Sequence, residues 1–395
     1  MNDRKRNEPM LDARRAMRLG ATIALGCAAL SGCASPAGPV FPPLTEARVF
    51  PPPPDAPRIR YVGSLSTEAD LKAGKSALES FGEALFGKSS VRSMLSPYAI
   101  YARGNELFVC DGSAQVLHVF DLETRAYRQW RPDVEPNGQT HAAADADAGA
   151  ASRLRFSQPV ALTGDAQGRI YVADSVAGAI FVFDATGHCL GDLGFGTLKR
   201  PCGIAYDPLR DRLLVTDSGH HQLLVLSTDG TLVAAIGTRG TAAGEFNFPT
   251  NVTIDHTGRV FVSDTLNFRV QVFDTDLKPM GQIGRLGDMP GYFAQPKGVA
   301  VDSENHVYVV DSQFEAVQIF TPEGQLLLSF GEEGSGQGEF WLPAGIFIDL
   351  NDRIWIADSY NRRVQVFDYL REPLPASAAP SPSPDQPAAT TEPRP

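Results

Sequence analysis

Histidine is the first residue type through which this chain could hold a catalytic metal ion. His220 and His221 are adjacent, and adjacent residues of one loop rarely bind the same ion. The other histidines are spread singly along the chain, so a zinc site built from three histidines is not expected.

Aspartates recur more regularly than histidines. Four of them precede Ser or Thr and stand 47 residues apart: Asp217, Asp264, Asp311 and Asp358. Carboxylates that converge near one face could bind calcium, which prefers oxygen ligands. The alternative is structural, since Asp followed by Ser or Thr caps a turn by accepting backbone amide hydrogens, and we favour this role. No cofactor is therefore predicted, with a divalent cation at these aspartates as the alternative.

Other catalytic signatures are absent from the sequence. It contains no evident Ser-His-Asp arrangement, phosphate loop or dinucleotide fingerprint, and no helix is expected after the glycine-rich residues 237–246. The formal charge of −11 becomes −14 without residues 1–32, which carry six basic and three acidic side chains. Phosphate backbones require the opposite sign, so a nucleic-acid ligand is not expected.

The same aspartates belong to a repeat. Six copies share a proline, a small residue, alternating apolar positions, a polar turn, three strand-forming residues and an aspartate. The clearest copies span residues 248–274, 295–320 and 342–368, and weaker ones begin at Pro97, Pro159 and Pro201. The aspartates are 63, 43, 47, 47 and 47 residues apart: Asp111, Asp174, Asp217, Asp264, Asp311 and Asp358. A period of about 47 residues is typical of one four-stranded propeller blade.

Each copy predicts four antiparallel strands, here called a to d. Strand a follows the proline and alternates bulky with small residues, which suits the crowded axis of a ring. Strand b ends at the aspartate, and the a–b and c–d turns are rich in Asp and Gly. The b–c and d–a loops then share one face, here called the loop face. His188, His256 and His306 fall in turns on the opposite face, and His118 falls within strand c.

The unit Pro-x-Gly-Ile-Ala-x-Asp, followed by Ile-Tyr-Val-Ala-Asp-Ser-x-Asn-x-Arg-Val-Gln-Val-Phe, resembles the NHL repeat over residues 58–370. This resemblance implies an all-β, six-bladed β-propeller. It implies little about function, because NHL-type propellers include binding modules, sensors, RNA-binding domains and a few lyases or hydrolases.

The sixth copy stops after strand c, at Phe367 and Asp368. Residues 58–66 read as a lone strand before the first full repeat, and we expect this N-terminal strand to supply strand d of the last blade. The propeller is thus assigned to residues 58–370.

The chain ends are expected to lie outside the propeller. Residues 1–33 combine arginines with a short apolar run, as in an export signal, and Leu30-Ser31-Gly32-Cys33 resembles the lipobox of bacterial lipoproteins. That resemblance implies lipidation of Cys33 and an anchor in the bacterial cell envelope; with Ala34 following, it implies the periplasmic side of the outer membrane in an organism with two membranes. Residues 34–57 are predicted to be a Pro-rich tether and residues 371–395 a disordered Pro/Ala/Ser-rich tail.

Three cysteines remain once Cys27 leaves with the signal and Cys33 is lipidated: Cys110, Cys189 and Cys202. An odd count argues against a disulfide framework, although one bridge is an alternative. The positions of Cys110 and Cys202 in strands predict burial of both.

Two insertions interrupt the repeat. Residues 67–92 show mild helical periodicity, and residues 131–156 lengthen a d–a loop that either overhangs the channel or lies on the surface, the interpretation we favour.

We expect a monomeric, non-enzymatic module that presents its loop face to an envelope protein, peptide or glycan. The candidate contact residues are His220, His221, Asn267, Arg269, Gln313, Glu315, Tyr360, Asn361 and Arg362. In the Asn-x-Arg element, which also includes Arg363, a structural tie between loops is favoured over a basic binding spot. The alternatives are a metal-dependent hydrolase or lyase on the same face and a purely structural role in an envelope complex.

Overall fold

The computed structural model describes residues 38–71, 92–133 and 154–371. Six antiparallel sheets surround a central axis, and the innermost strands of neighbouring sheets contact each other all the way round the ring. The six-bladed β-propeller predicted from the repeat is therefore confirmed.

The chain enters the fold through β1 (Val49–Phe50), β2 (Ile59–Leu65) and a short 3-10 helix (Glu68–Leu71). Blade 1 contains β3 (Pro97–Arg103), β4 (Glu106–Asp111), β5 (Val116–Asp121) and β6 (Tyr127–Trp130). Blade 2 contains β7 (Pro159–Gly164), β8 (Ile170–Asp174), β9 (Ala179–Phe183) and β10 (Cys189–Leu193). Blade 3 contains β11 (Pro201–Asp207), β12 (Arg212–Asp217), β13 (Gln222–Ser227) and β14 (Leu232–Ile236).

Blade 4 contains β15 (Pro249–Ile254), β16 (Val260–Asp264), β17 (Arg269–Phe273) and β18 (Pro279–Ile283), with a 3-10 turn at Thr265–Asn267. Blade 5 contains β19 (Pro296–Val301), β20 (Val307–Asp311), β21 (Ala316–Phe320) and β22 (Leu326–Phe330). Blade 6 contains β23 (Pro343–Ile348), β24 (Arg353–Asp358) and β25 (Arg363–Tyr369).

The N-terminal strand closes the last blade, as predicted. β2 pairs antiparallel with β25, with Ile59 opposite Tyr369 and Leu65 opposite Val364. The outermost strand of the last blade would otherwise leave its backbone hydrogen-bonding groups unpaired. A strand from the other end of the chain pairs with it and also joins the two ends of the ring.

Part of the predicted tether belongs to this blade. β1 pairs with β2, and the ring of Phe50 packs against Phe330 and Phe367 at centroid distances of 5.5 and 6.5 Å. Phe41 lies 6.3 Å from the ring of Trp355. Residues 49–50 of the predicted tether therefore form an edge strand of the last blade. Proline limits strands, but Val49 and Phe50 are strand formers that can cover an exposed edge.

Each strand a begins with a proline followed by a β-bulge or similar irregularity, so the residue after the proline lies outside the regular pairing. A bulge changes the direction in which nearby side chains point. The small residue that follows lets the next blade come close: a Cβ added to Gly203 would lie 2.8 Å from the Cα of Asn251.

The hydrophobic core consists of wedges between neighbouring blades rather than one centre. The cluster between blades 1 and 2, for example, joins Phe108 and Trp130 to Phe181 and Phe183. Tyr101 of blade 1 meets Phe347 of blade 6 at a ring distance of 5.2 Å. Each fully buried large side chain contributes about 1.5–3 kcal/mol.

Several predictions fall outside the described residues. They concern the export signal with Cys33, most of the insertion at 67–92, the centre of the insertion at 131–156 and the tail beyond Arg371. Within the described ranges, none of the helical segments has the length and apolar character needed to span a bilayer.

Candidate functional site

The loop face is organised by six aspartates that end the b strands: Asp111, Asp174, Asp217, Asp264, Asp311 and Asp358. All six are fully buried. Each accepts a hydrogen bond from a backbone amide in the preceding d–a loop. The donors to Asp217, for example, are the amides of Lys199 at 2.7 Å and Arg200 at 2.9 Å. In most blades the same carboxylate also caps the b–c turn; Asp111, for example, accepts a hydrogen bond from the amide of Ala114. These aspartates therefore tie the two kinds of loop together.

The pKa values of these aspartates differ with their donors. Burial raises the pKa of Asp264 and of Asp311, and their hydrogen bonds only partly offset it. Burial also acts on Asp111, but the hydrogen bonds from His118 and from backbone amides outweigh it and hold the pKa of Asp111 below its ordinary value. His118 itself is buried in strand c, between Asp111 at 3.2 Å and the Tyr127 hydroxyl at 2.7 Å.

A calcium site at the recurrent aspartates gains no support from this geometry, because their oxygens face amide donors. Among the described residues, no group of three or more His, Cys, Asp and Glu side chains could hold a metal ion. Whether the protein binds a divalent cation stays a prediction.

Asn267 and Arg269 serve as internal ties. The Asn267 amide donates to the carbonyl of Gly240 and to Asp264, each at 2.8 Å. Arg269 is buried and donates to Asp264, Gln282 and two loop carbonyls. With these groups engaged inside the fold, we assign both residues a structural role.

Blade 6 repeats this arrangement with Asn361 and Arg363. Asn361 donates to Gly334 and Asp358, and the Arg363 guanidinium reaches Asp358 and the carbonyls of the d–a loop. The favoured interpretation of the Asn-x-Arg element, a tie between loops, agrees with these contacts. Arg362, in contrast, is exposed.

His220, His221 and Glu315 lie in b–c loops. His220 contacts Asp217 at 2.9 Å and keeps 42% of its side chain exposed. The amide of Phe248 donates to His221, and the amide of Leu342 donates to Glu315 at 2.5 Å. Burial lowers the pKa of His221, with Arg239 and Lys199 adding to this effect, and burial raises the pKa of Glu315. His221 and Glu315 thus position the next loop, whereas His220 faces solvent.

Gln313 and Tyr360 are exposed at equivalent positions of neighbouring b–c loops. Tyr360 is 59% exposed and lies 5.5 Å from the ring of Trp341, which is 49% exposed. The amide of Tyr360 donates to the carbonyl of Trp341, whose own amide donates to Asp358. Trp341 and Tyr360, the aromatic pair, therefore present two exposed rings on a backbone held by hydrogen bonds.

The loop face is also the more apolar end of the ring. Exposed large apolar side chains of its loops are Leu95, Val176, Phe195, Leu266, Leu286, Met289, Trp341 and Tyr360. Those in the turns of the opposite face are Leu209 and Leu350. Such an asymmetry marks the loop face as the better candidate for binding.

The central channel opens on the loop face where the a strands begin. The residues on either side of the six strand-a prolines are here called the channel mouth, and those that follow the prolines are Tyr98, Val160, Cys202, Thr250, Lys297 and Ala344. The ammonium of Lys297 lies 5.9 Å from the centroid of the Tyr98 ring. Burial raises the pKa of Tyr98 to about 12, with Cys202 raising it further and Arg200 lowering it. Burial lowers the pKa of Lys297. Side chains of blades 1 and 5 thus approach each other at the channel mouth.

Among the described residues, Cys110 and Cys202 are free thiols. Cys110 is buried, as predicted, but Cys202 is only partly so, because the bulge places it at the channel mouth. Its sulfur lies 3.2 Å from the Ser218 hydroxyl, and burial raises its pKa.

The channel contains a cavity of about 260 Å³ lined by the a strands. Its polar lining residues include Tyr101, Thr163, Tyr206 and Asn251. This volume is smaller than the roughly 300–1,000 Å³ of typical small-molecule sites.

The candidate residues predicted from the sequence do not include Tyr98, Arg200, Lys297 or Trp341. The signal was present, because each residue lies within two positions of a strand-a proline. Comparing these positions between copies would have shown that cations occur there in only two copies, as Lys199 and Arg200 before Pro201 and as Lys297 after Pro296.

Comparisons with known proteins agree with this fold. A family model described as a 6-bladed beta-propeller matches residues 206–259 and 303–374, which is less than half of the chain. A search of the curated proteins gave no match.

Solved structures resemble the chain in fold. An auxiliary nutrient binding protein from Bacteroides ovatus is 14% identical, with 69% of each chain covered and a TM-score of 0.53. One from Bacteroides thetaiotaomicron is 12% identical, covering 70% of this chain and 69% of its own, with a TM-score of 0.51. A streptogramin B lyase is 12% identical, covering 70% and 94%, with a TM-score of 0.50. The chain is thus similar to propellers of differing function, and the NHL resemblance stays a prediction.

Proposed function

We propose that this protein is a membrane-anchored, non-enzymatic propeller of the cell envelope that binds a peptide, protein or glycan on its loop face. The observation that carries the proposal is the aromatic pair, Trp341 and Tyr360, exposed on that face. Exposed aromatic rings on a fixed backbone bind with little loss of conformational entropy, and they are typical of binding hot spots.

The ring supports this role as a scaffold. Its loops are held by buried aspartates, so a partner would meet a surface that is already ordered. Two propellers of similar fold are described as auxiliary nutrient binding proteins, which agrees with binding as one use of this architecture. For the metal-dependent alternative, the described residues supply no set of ligands.

The test uses the full chain in intact envelopes. A photoreactive amino acid is placed at position 360 and, as a control, at position 350, where Leu350 is fully exposed in a turn of the opposite face. We expect a discrete adduct from position 360 only. Equal labelling from both positions, or none from either while the purified protein turns over a small substrate, would contradict the proposal.

The affinity of the identified partner is then measured for Trp341→Ala and Tyr360→Ala. Each change should weaken binding by about ten-fold or more, since central aromatic contacts are each worth about 2 kcal/mol. Leu350→Ala should bind like the parent protein.

The proposed anchor is the diacylglyceryl group on Cys33, which is supported by the lipobox resemblance. Metabolic labelling with an alkyne fatty acid should mark the parent protein and not Cys33→Ala. An unlabelled parent protein would refute the anchor and leave the binding proposal standing.

A further inference from the structure

The channel mouth is cationic although the whole chain is acidic. The residues on either side of the six strand-a prolines are Ser96, Tyr98, Gln158, Val160, Arg200, Cys202, Phe248, Thr250, Gln295, Lys297, Leu342 and Ala344. They include Arg200 and Lys297 but no carboxylate, in a chain with a formal charge of −11. An anionic group that approaches along the axis would therefore meet positive charge first.

Lys297 lies beside Tyr98, with its ammonium 5.9 Å from the centroid of the Tyr98 ring. The charge of Arg200 partly offsets the rise in the Tyr98 pKa that burial and Cys202 cause. Within the described part of the chain, the side chains of Lys297, Arg200 and Tyr98 form no hydrogen bond or ion pair. Their donors are thus available to a ligand.

The nearest acids do not neutralise Lys297 directly. Asp311 and Glu315 act on the pKa of Lys297, but neither forms an ion pair with it. Asp311 accepts the amides of Ala294 and Gln295, and Glu315 accepts the amide of Leu342. Both carboxylates thus accept hydrogen bonds from loop amides, and the ammonium of Lys297 lies beside the Tyr98 ring without an ion pair.

The available donors favour one kind of anion. Phosphate groups in proteins are usually held by clusters of backbone amides. Here the d–a loops direct amides at the buried aspartates, as Leu95 and Ser96 do at Asp111 and Ser157 and Gln158 do at Asp174. The mouth therefore offers side-chain donors, which suit the two oxygens of a carboxylate.

We propose that the channel mouth binds the carboxylate group of a small ligand or of a ligand's end, with Lys297 and Arg200 as cationic donors and Tyr98 as a neutral donor. This inference rests on the proposed function, in which the loop face binds the partner. It adds the chemical class of the group that would bind at the channel mouth.

The test observes Lys297 itself. Reductive methylation of the full chain with ¹³C-formaldehyde gives dimethyl-lysine signals that keep their charge, and the signal missing from Lys297→Met identifies this residue. Hexanoate is titrated as the carboxylate probe, hexanamide as its neutral counterpart and inorganic phosphate as a second anion. We expect the Lys297 signal to shift and saturate with hexanoate only.

Variants then test the contacts. Hexanoate affinity, measured by calorimetry, should fall about ten- to hundred-fold in Lys297→Met and in Arg200→Gln, as expected for the loss of one hydrogen bond to a charged group. Lys278→Met, which removes an exposed cation from a turn of the opposite face, is the matched control and should leave the affinity unchanged.

Three outcomes would overturn the carboxylate site: no response of Lys297 to hexanoate, an equal response to hexanamide, or equal saturation by phosphate. Unchanged affinity in both variants would do the same. The failure is separable from that of the proposed function, because a partner adduct at position 360 would still appear if the loop face binds without using the channel mouth.

Discussion

Gly345 of blade 6 lies against Tyr98 of blade 1, where the first and last blades meet. A Cβ on Gly345 would stand 2.4 Å from the carbonyl oxygen of Tyr98 and 3.0 Å from the Cα of Ala99. Ser359 adds a hydrogen bond of 2.6 Å to the carbonyl of Pro97 across the same junction. The ring therefore closes at its axis through direct contact between backbones, which only a residue without a side chain permits.

Gly345→Ala should destabilise the protein by about 1–3 kcal/mol, because backbone cannot move aside as the end of a flexible side chain can. Urea denaturation followed by tryptophan fluorescence measures the change. Gly281→Ala is the control, since a Cβ there meets nothing within 4 Å. If both variants unfold at the same urea concentration, the junction tolerates a wider spacing than we infer.

Asp311→Ala should lower the free energy of unfolding by at least about 3 kcal/mol. The buried carboxylate accepts hydrogen bonds from the amides of Ala294 and Gln313, and its removal leaves these buried donors unpaired. Asp311→Asn keeps one acceptor oxygen and should lose less. Asp276→Ala, at an exposed turn position, should change stability by no more than about 0.5 kcal/mol. A wild-type unfolding midpoint for Asp311→Ala would rule out the loop-tying role.

Phe50→Ala should destabilise the propeller by about 1–3 kcal/mol, because the ring is partly buried against Phe330 and Phe367. Leu350→Ala, which removes a fully exposed side chain, provides the comparison. Thermal unfolding of both variants distinguishes a structural β1 from a simple spacer. Identical Tm values would restore the spacer interpretation.

Lys297→Met should be more stable than the parent protein near neutral pH. Burial lowers the pKa of Lys297 below its ordinary value of 10.5, while Glu315 and Asp311 act in the opposite direction. The folded state disfavours the charged ammonium, so the charge of Lys297 lowers the free energy of unfolding at any pH below the pKa of Lys297 in the folded protein. This destabilisation disappears as the pH rises towards 10.5, the pKa of an ordinary lysine.

The stability difference between Lys297→Met and the parent should therefore narrow with rising pH in denaturant titrations. Lys278→Met should show no such dependence, since Lys278 lies in an exposed turn. A difference that stays constant from neutral pH to about pH 10 would indicate packing rather than charge as its cause.

The repeat was enough to predict the architecture. A proline at the start of strand a and an aspartate at the end of strand b recur in every copy, and the last four aspartates are 47 residues apart. These features specify blade number, strand order and the face on which each loop lies. The missing fourth strand of the sixth copy likewise pointed to residues 58–66. These features are local and periodic, so a sequence displays them directly.

The channel mouth and the aromatic pair depended on contacts that periodicity does not report. A bulge after each proline removes the next residue from the alternation, so the direction of Tyr98 or Lys297 follows from pairing and not from the pattern. Arg269 and Arg362 were both candidate contact residues, but Arg269 is buried and Arg362 is exposed. Closing the ring brings Lys297 to Tyr98 across distant parts of the chain, because six twisted sheets converge on one axis.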